Sequence, residues 1–524
     1  MKKQPVLANP PALSVGLRRY LYFTAAVTGA AIMIVEILGA KMLAPYVGTS
    51  HFVWTAQIAV TLVALATGYY AGGRLVDRSA KLGRVYGCVL LAAIYLCLSV
   101  LIVKSVAFWC LEYNHLALGS LLASAFLFFV PLSLLAMVGP FFIRVLTSAV
   151  SGVGGNVGRL TAISTLGSFI GTLLIGYLLI PFFPNSRTMY GTAVVLMLVA
   201  GGYFFGWERK SPNRSAVVAG MATCLLLGLA GVYRDDQSPF SEFIERFRGN
   251  SNFGMLQVVD DQEGSRRFYL NDFLTQNIYD PGEKKSTALF TYMLHDLARA
   301  YTRKIDSALC IGLGVGIVPR QFAREGVRVE VVEINPAVAQ VARRFFDCEL
   351  EQFRLVFDDG RHFVNRGTNR FDAIILDAFL GDSSPVHLMT REAFRSMRDR
   401  LQPGGTLVIN CFVDFYPGKD FFAASLDKTL KSVFRSVRIH SAGAGGNVFF
   451  VASDQPELAI YNAPDLDQVH PSCRDLARYT VANIVEANPA HGVVLTDDYN
   501  PVEFFDAANR EATRRRLVMN MRSL

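Results

Sequence analysis

The residues best suited to chemistry lie in the second half of the chain, each at the end of a short apolar run. Gly312, Gly314 and Gly316 follow SALCI. Glycines at such a turn let a nucleoside and its tail approach the backbone, although a GxGxG alone is a weak signal and loop glycines without a ligand are common. Glu333 ends the next apolar run, 17 residues after Gly316. A carboxylate there can accept hydrogen bonds from both hydroxyls of a ribose. Asp358, Asp359 and Gly360 follow FRLVF. An acid or backbone amide at that point can read an adenine edge, and an Asp pair can equally form a turn or a helix cap. Asp377 ends FDAIIL, over the place where a reacting carbon would sit. The alternative for Asp377 is a solvated loop acid.

These positions share a frame. GMLQVVDD and RRFYLND read as a hairpin turning at EGS, followed by a helix over Ser286–Tyr301. The runs SALCIGLG, VRVEVVEIN, FRLVF, FDAIILDAF and GTLVIN read as strands. Helical patterns separate them at Val318–Arg324, Pro336–Phe346, Arg391–Leu401 and Phe421–Phe434. Such alternation predicts a mainly parallel sheet with helices on both faces, whose ligands bind at the carboxyl ends of the strands. VRIHSAG and GNVFFVAS form a glycine-rich hairpin that closes the sheet, a signature of methyltransferase-type Rossmann domains.

The front half is built differently. Residues 1–235 hold 17 Lys/Arg and 5 Asp/Glu, against 34 and 38 in residues 236–524, so the net charge of +8 does not describe one basic surface. No domain carries a concentrated basic patch, which argues against a nucleic-acid partner. Seven apolar runs are long enough to cross a bilayer as helices: Tyr20–Ala44, Phe52–Tyr70, Val85–Val103, Leu116–Val145, Leu160–Phe183, Met189–Trp207 and Ala216–Tyr233. The fourth holds Pro131 and Pro140 and reads either as one kinked span or as a re-entrant pair. The expected division is a membrane domain over 1–235 and a nucleoside-binding catalytic domain over 236–524. Inside the first run, Glu36 and Lys41 are costly at membrane depth. Glu36 is thus a candidate membrane site, the alternative being a helix-end pair from which Lys41 snorkels. The eight cysteines and eight histidines show no paired metal-ligand spacing, and no metal is expected.

GLGVG, VVEIN, DDGRHF and ILDAFLGDSSPVHLMT, in that order, resemble the spermidine synthase (polyamine aminopropyltransferase) family over about residues 251–455. EILGAKMLAPYVGTSHFVW, GYYAGGRLVDR, TAISTLGSFIGTLLIGYLLIP and TDDYNPVEFF are similar to segments of multi-spanning proteins fused to spermidine synthase-like domains in bacteria. The resemblance implies a multi-spanning helical membrane domain followed by a Rossmann-like α/β domain of the methyltransferase/spermidine synthase type, with a small N-terminal β-hairpin element. It also implies an aminopropyl transfer from decarboxylated S-adenosylmethionine to an amine such as putrescine. On that template Asp377 is the base and Asp382 holds the far amine. Glu333 and Asp359 contact ribose and adenine, and Gln276 lines the same pocket. The chain departs from the family at several points. Val315 stands where the soluble enzymes carry an Asp in the glycine loop, and Gly254 where they carry a Gln. ALFTYML replaces their Tyr-His-Glu clamp, displacing His295, and two extra residues separate Asp377 from Asp382.

Three readings stay open at this level. One is an aminopropyltransferase acting on a small amine. Another uses S-adenosylmethionine itself for methyl or aminocarboxypropyl transfer to a membrane-linked acceptor. The third is a non-catalytic transporter or sensor that binds a nucleoside. The partners expected are that acceptor and the lipid bilayer, and a homo-oligomer is compatible with the sequence. The resemblance places the chain in a bacterial inner membrane as a multi-pass protein. The connections divide 13 positive residues to 3, which favours a cytoplasmic N-terminus. Seven crossings would then put the second domain outside, whereas adenosylated sulfonium substrates are made inside the cell. A cytoplasmic catalytic domain is expected on that ground, against the charge bias.

Overall fold

An apolar run in lipid can satisfy its backbone polar groups only within itself, as a helix. The computed structural model describes residues 13–48, 51–147, 153–209, 212, 214–236, 243–379, 385–443, 446–507 and 509–512. The chain divides into two compact units, Met1–Pro239 and Phe240–Leu524.

The first unit has seven helices long and apolar enough to cross a membrane: Val15–Val47, His51–Arg78, Leu82–Tyr113, Leu116–Leu146, Val153–Phe182, Asn185–Gly206 and Arg214–Arg234. Most outrun the apolar stretches that announce them, because hydrogen bonding along the backbone continues into polar flanks. Thus Ser14 caps the first helix by accepting the Leu17 N–H at 3.2 Å, and the second runs on to Arg78. The fourth run is a single helical element and does not double back. It passes through a π-helical stretch at Ala125–Phe129 and a turn at Met137, where Pro140 removes a helix donor. Small residues set the closest packing: a Cβ on Gly167 or Gly171 would collide with the backbone of Ala26 or Ala30, and Ser168 donates to the Gly29 carbonyl at 3.1 Å. Glu36 sits half-buried in the first helix, well before its end at Val47.

The second unit opens with an antiparallel sheet of five strands in sequential order, where the sequence announced a single hairpin. They are β1 (Phe243–Ser251), β2 (Gly254–Asp261), β3 (Arg267–Asn271), β4 (Leu274–Asp280) and β5 (Lys285–Ser286). β1 escapes a reading by alternation because it is charged and its register shifts between Glu245 and Phe247. Its charges are paired instead, Arg248 with Glu245 at 2.6 Å and Arg246 with Asp260 at 2.8 Å.

An eight-stranded sheet follows: β6 (Ser307–Ile311), β7 (Arg328–Glu333), β8 (Arg354–Phe357), β9 (Phe371–Leu376), β10 (Leu401–Cys411), β11 (Ser436–Ser441), β12 (Val448–Ser453) and β13 (Ile484–Val485). The order is β13-β11-β12-β10-β9-β6-β7-β8. β8, β7, β6, β9 and β10 run parallel, while β12 and β11 pair antiparallel beyond β10. The chain leaves β6 towards β7 and β8, then returns to its other side as β9 and β10. The carboxyl ends of β6 and β9 therefore form the topological switch point. β6 is buried on both faces. Helices Phe290–Tyr301, Ile317–Arg324 and Pro336–Phe345 share one apolar core with the sheet, and Arg391–Asp399 and Phe421–Lys431 share another.

Candidate active site

A cavity of about 280 Å³ opens at the switch point. Its floor is the turn after β6, where three glycines take backbone conformations with φ of +102° (Gly312), +54° (Gly314) and +78° (Gly316). The turn ends in helix Ile317–Arg324. Two of the glycines also have packing reasons. A Cβ on Gly312 would collide with the carbonyl of Asp377, and one on Gly316 with the sulfur of Cys348. Gly314 has open space above it and lines the cavity. Gly360 also lines the cavity and leaves no room for a side chain beside Ile311.

Glu333 ends β7 almost fully buried, its carboxylate held from both sides. Oε2 accepts the Leu313 N–H at 2.9 Å and Oε1 accepts the Asn335 N–H at 2.8 Å. Burial pushes its pKa above the ordinary carboxylate range, and the backbone N–H groups pull the other way. Each oxygen keeps a further lone pair for a donor such as a ribose hydroxyl.

Asp358 and Asp359 line the cavity while also doing the local work of turn and cap. Asp358 accepts the Asp359 N–H at 2.8 Å and pairs with His362 at 2.8 Å, and that imidazole holds its carboxyl low. Asp359 caps helix Gly360–Arg366 through the His362 N–H at 2.9 Å and meets His387 at 3.0 Å. Gln276 lines the cavity from β4. Asp382 lies outside the described residues.

Asp377 follows β9, its N–H bonded to the Ile311 carbonyl at 3.0 Å. Burial pushes its carboxyl up to about 6, and the one side chain bonded to it among the described residues, Asn410, works in the opposite direction by donating from Nδ2 at 2.9 Å. At neutral pH such a group is mostly ionised yet still a competent proton acceptor.

The departures noted in the sequence have structural counterparts. Val315 lines the cavity as an apolar wall. His295 lies in the helix before β6, buried between Asp296 at 3.0 Å and Glu325 at 3.2 Å, and it is not among the cavity residues. Burial opposes the charge on this imidazole, but the two carboxylates outweigh it and raise its pKa.

Several cavity residues escaped the sequence reading. Asn410 is the penultimate residue of β10, and only the adjacency of that strand to β9 makes it relevant. Asp414 and Lys419 follow on the next loop, and Asp506, Asn509 and Arg510 come from the far end of the chain. TDDYNPVEFF is what brings that end home. Asp497 takes a fork from Arg361 at 3.1 and 2.8 Å and a bond from Thr390 at 2.7 Å, and Asn500 donates to the Val386 carbonyl at 2.8 Å. The segment then crosses to the cavity, with Phe505 against Phe421 at 4.2 Å.

Residues 288–458 match the family model described as "Spermine/spermidine synthase domain". The chain is similar to an N-terminal histidine N-methyltransferase of Emericella nidulans, 31% identical over 223 residues, which is 38% of this chain and 39% of that protein. It is similar to a polyamine aminopropyltransferase of Vibrio vulnificus, 36% identical over 140 residues, 25% of this chain and 46% of that one. The chain thus spans less than half the length of either relative. A spermidine synthase crystal structure from Thermotoga maritima aligns at 19% identity, covering 44% of this chain and 77% of its own, with a TM-score of 0.36. The stretch that matches the spermine/spermidine synthase domain thus lies in the C-terminal part of the chain, preceded by a region of seven long apolar helices.

Proposed function

We propose that the second unit transfers an aminopropyl group from decarboxylated S-adenosylmethionine to a small amine such as putrescine and releases methylthioadenosine. The observation that carries this reading is Asp377, a carboxylate with a pKa near 6 at the switch point of a cavity whose neighbouring strand end holds Glu333. Glu333 accepts the two ribose hydroxyls, Asp358 and Asp359 stand on the adenine side, and the glycine turn runs under the nucleoside. Asp377 takes a proton from the attacking amine. The amine nitrogen forms a bond to the carbon next to sulfur, the carbon–sulfur bond breaks, and its electrons neutralise the sulfonium. Asp414 and Asp506 add negative charge for a cationic acceptor, with Asp382 as a further candidate on that side.

A specific observation favours a second reading, in which intact S-adenosylmethionine gives up its methyl or aminocarboxypropyl group. Lys419 and Arg510 line the same cavity and would suit a carboxylate, and the glycine loop has Val315 where an acid would repel one. The histidine methyltransferase relative is compatible with it. Mass spectrometry of products from the purified full chain separates the readings. Methylthioadenosine with an acceptor heavier by an aminopropyl group supports the first. S-adenosylhomocysteine, or methylthioadenosine formed only from intact S-adenosylmethionine, supports the second. Nucleoside binding without any product would leave a sensor or transporter.

A further inference from the structure

Asp377 is held by a chain of two amides. Asn410 Nδ2 donates to Asp377 Oδ1 at 2.9 Å, and Asn447 Nδ2 donates to Asn410 Oδ1 at 2.9 Å. Asn410 is only 2% exposed. The three residues come from three places: the end of β9, the end of β10, and the glycine-rich hairpin between β11 and β12. The register explains the meeting. Asn410 pairs with Phe449, so Asn447, two residues along β12's lead-in, is its diagonal neighbour on the same face. The hairpin fixes the backbone of Asn447 in turn, its main-chain carbonyl accepting the Ala442 N–H at 3.0 Å.

An asparagine amide presents either donor or acceptor depending on a half-turn about one bond, and only its partners decide which. An ionised carboxylate accepts hydrogen bonds and cannot give them. With Nδ2 towards Asp377, Asn410 stabilises the ionised form. With Oδ1 there instead, it would repel that form and accept a bond from the protonated one. We propose that Asn447 is a positioning residue that acts through Asn410: by bonding its carbonyl oxygen it fixes the half-turn and keeps Asp377 in the form that takes the acceptor's proton. This rests on Asp377 being the base. Cys310 on β6 and Cys411 on β10 feel the charge of Asp377, and the other titratable or charged groups facing the same cavity among the described residues are Glu333, Asp358, Asp359, His387, Asp414, Lys419, Asp506 and Arg510. None of these supplies a donor to Asp377 among the described residues, whereas Asn410 does.

The test compares Asn447→Leu, Asn410→Leu and the double variant in the full chain, using two measurements. Isotope-edited infrared spectra follow the protonated carboxyl band that Asp377→Asn abolishes, and turnover is recorded against pH. Methylthioadenosine binding checks that each variant is folded. Asn410→Leu should move the Asp377 midpoint and the acid limb of the rate profile up by about one pH unit. Asn447→Leu should move both in the same direction by less, and the double variant should go no further than Asn410→Leu. An unmoved midpoint in Asn447→Leu would overturn the proposal. So would a shift that adds to that of Asn410→Leu, since Asn447 would then act by another route. If the midpoints move as expected while turnover ignores them and survives Asp377→Asn, the amide chain stands and the assignment of Asp377 as base falls.

Discussion

Gly312 and Asp377 face each other so closely across the ends of β6 and β9 that a single methyl group on the glycine would overlap the aspartate's carbonyl oxygen. The neighbouring bonds, Asp377 N–H to the Ile311 carbonyl at 3.0 Å and Gly312 N–H to the Val332 carbonyl at 2.8 Å, tie three strand ends together at that point. Gly312→Ala therefore meets two penalties, a collision and a φ of +102° that alanine rarely adopts. We expect a loss of about 1–3 kcal/mol from the backbone conformation alone. Turnover should fall further than nucleoside affinity, because the displaced residue is the proposed base. A thermal melt and paired binding and rate measurements check this.

Glu333 has its two oxygens aimed by the Leu313 and Asn335 N–H groups. Glu333→Ala removes the proposed ribose acceptor and should weaken methylthioadenosine binding by about 1.5–3 kcal/mol, the range for hydrogen bonds to a charged group. Glu333→Gln should also be impaired, because its amide nitrogen must face one of those two N–H donors. Calorimetry on the full chain would show the change. An affinity equal to that of the parent in Glu333→Ala would remove the ribose assignment.

Asp377→Asn should lose turnover by on the order of a hundredfold or more while keeping nucleoside affinity. The same change should stabilise the fold at neutral pH. The native carboxyl titrates near 6 and its ordinary value is 3.8. Below pH 3.8 both native and unfolded chains are protonated and nothing is lost. As pH rises through the window from 3.8 to 6, the unfolded chain ionises first and stability falls, reaching a constant penalty above it. That penalty is up to roughly 3 kcal/mol, and the asparagine variant escapes it. Hydrogen exchange in β6 and β9 reads it directly: protection should rise in the variant at pH 7.5 and match the parent at pH 3.5.

The parallel part of this site was legible because its physics is local. Apolar runs ending in glycine or an acid mark parallel strands and their carboxyl ends, so Gly312, Glu333, Asp359 and Asp377 group together from the sequence alone. What was hidden depends on register and on long-range return of the chain. Asn410 looks like any strand-end polar residue until β10 is laid beside β9, and Asn447 like any hairpin residue until β12 is paired with β10. Asp506 and Arg510 reach the cavity because Asp497, over a hundred residues from its partner Arg361 in sequence, anchors the segment. β1 was missed for a different reason. Its charged residues are neutralised by each other and by Asp260, a compensation invisible to a hydrophobicity pattern.

The membrane unit yields the last prediction. Seven long helices and a charge bias of 13 to 3 favouring a cytoplasmic N-terminus would carry the second unit out of the cytoplasm, away from the compartment that makes the adenosyl substrates proposed for it. Both constraints are met only by an even number of crossings. The continuous Leu116–Leu146 helix removes the fourth run as the place where the chain doubles back. Arg214–Arg234 is the least buried of the seven within its unit, and it carries arginines at both ends. We expect the second unit to be cytoplasmic and this last helix not to cross. Cysteines introduced beside Arg214 and Arg234 should then be labelled by a membrane-impermeant maleimide from the same side. A green fluorescent protein fused after Leu524 should glow, and alkaline phosphatase at the same point should stay inactive. An active phosphatase with a dark fluorescent fusion would put the unit outside. The aminopropyltransferase reading would then lose its substrate supply, and a nucleoside sensor would fit the chain better.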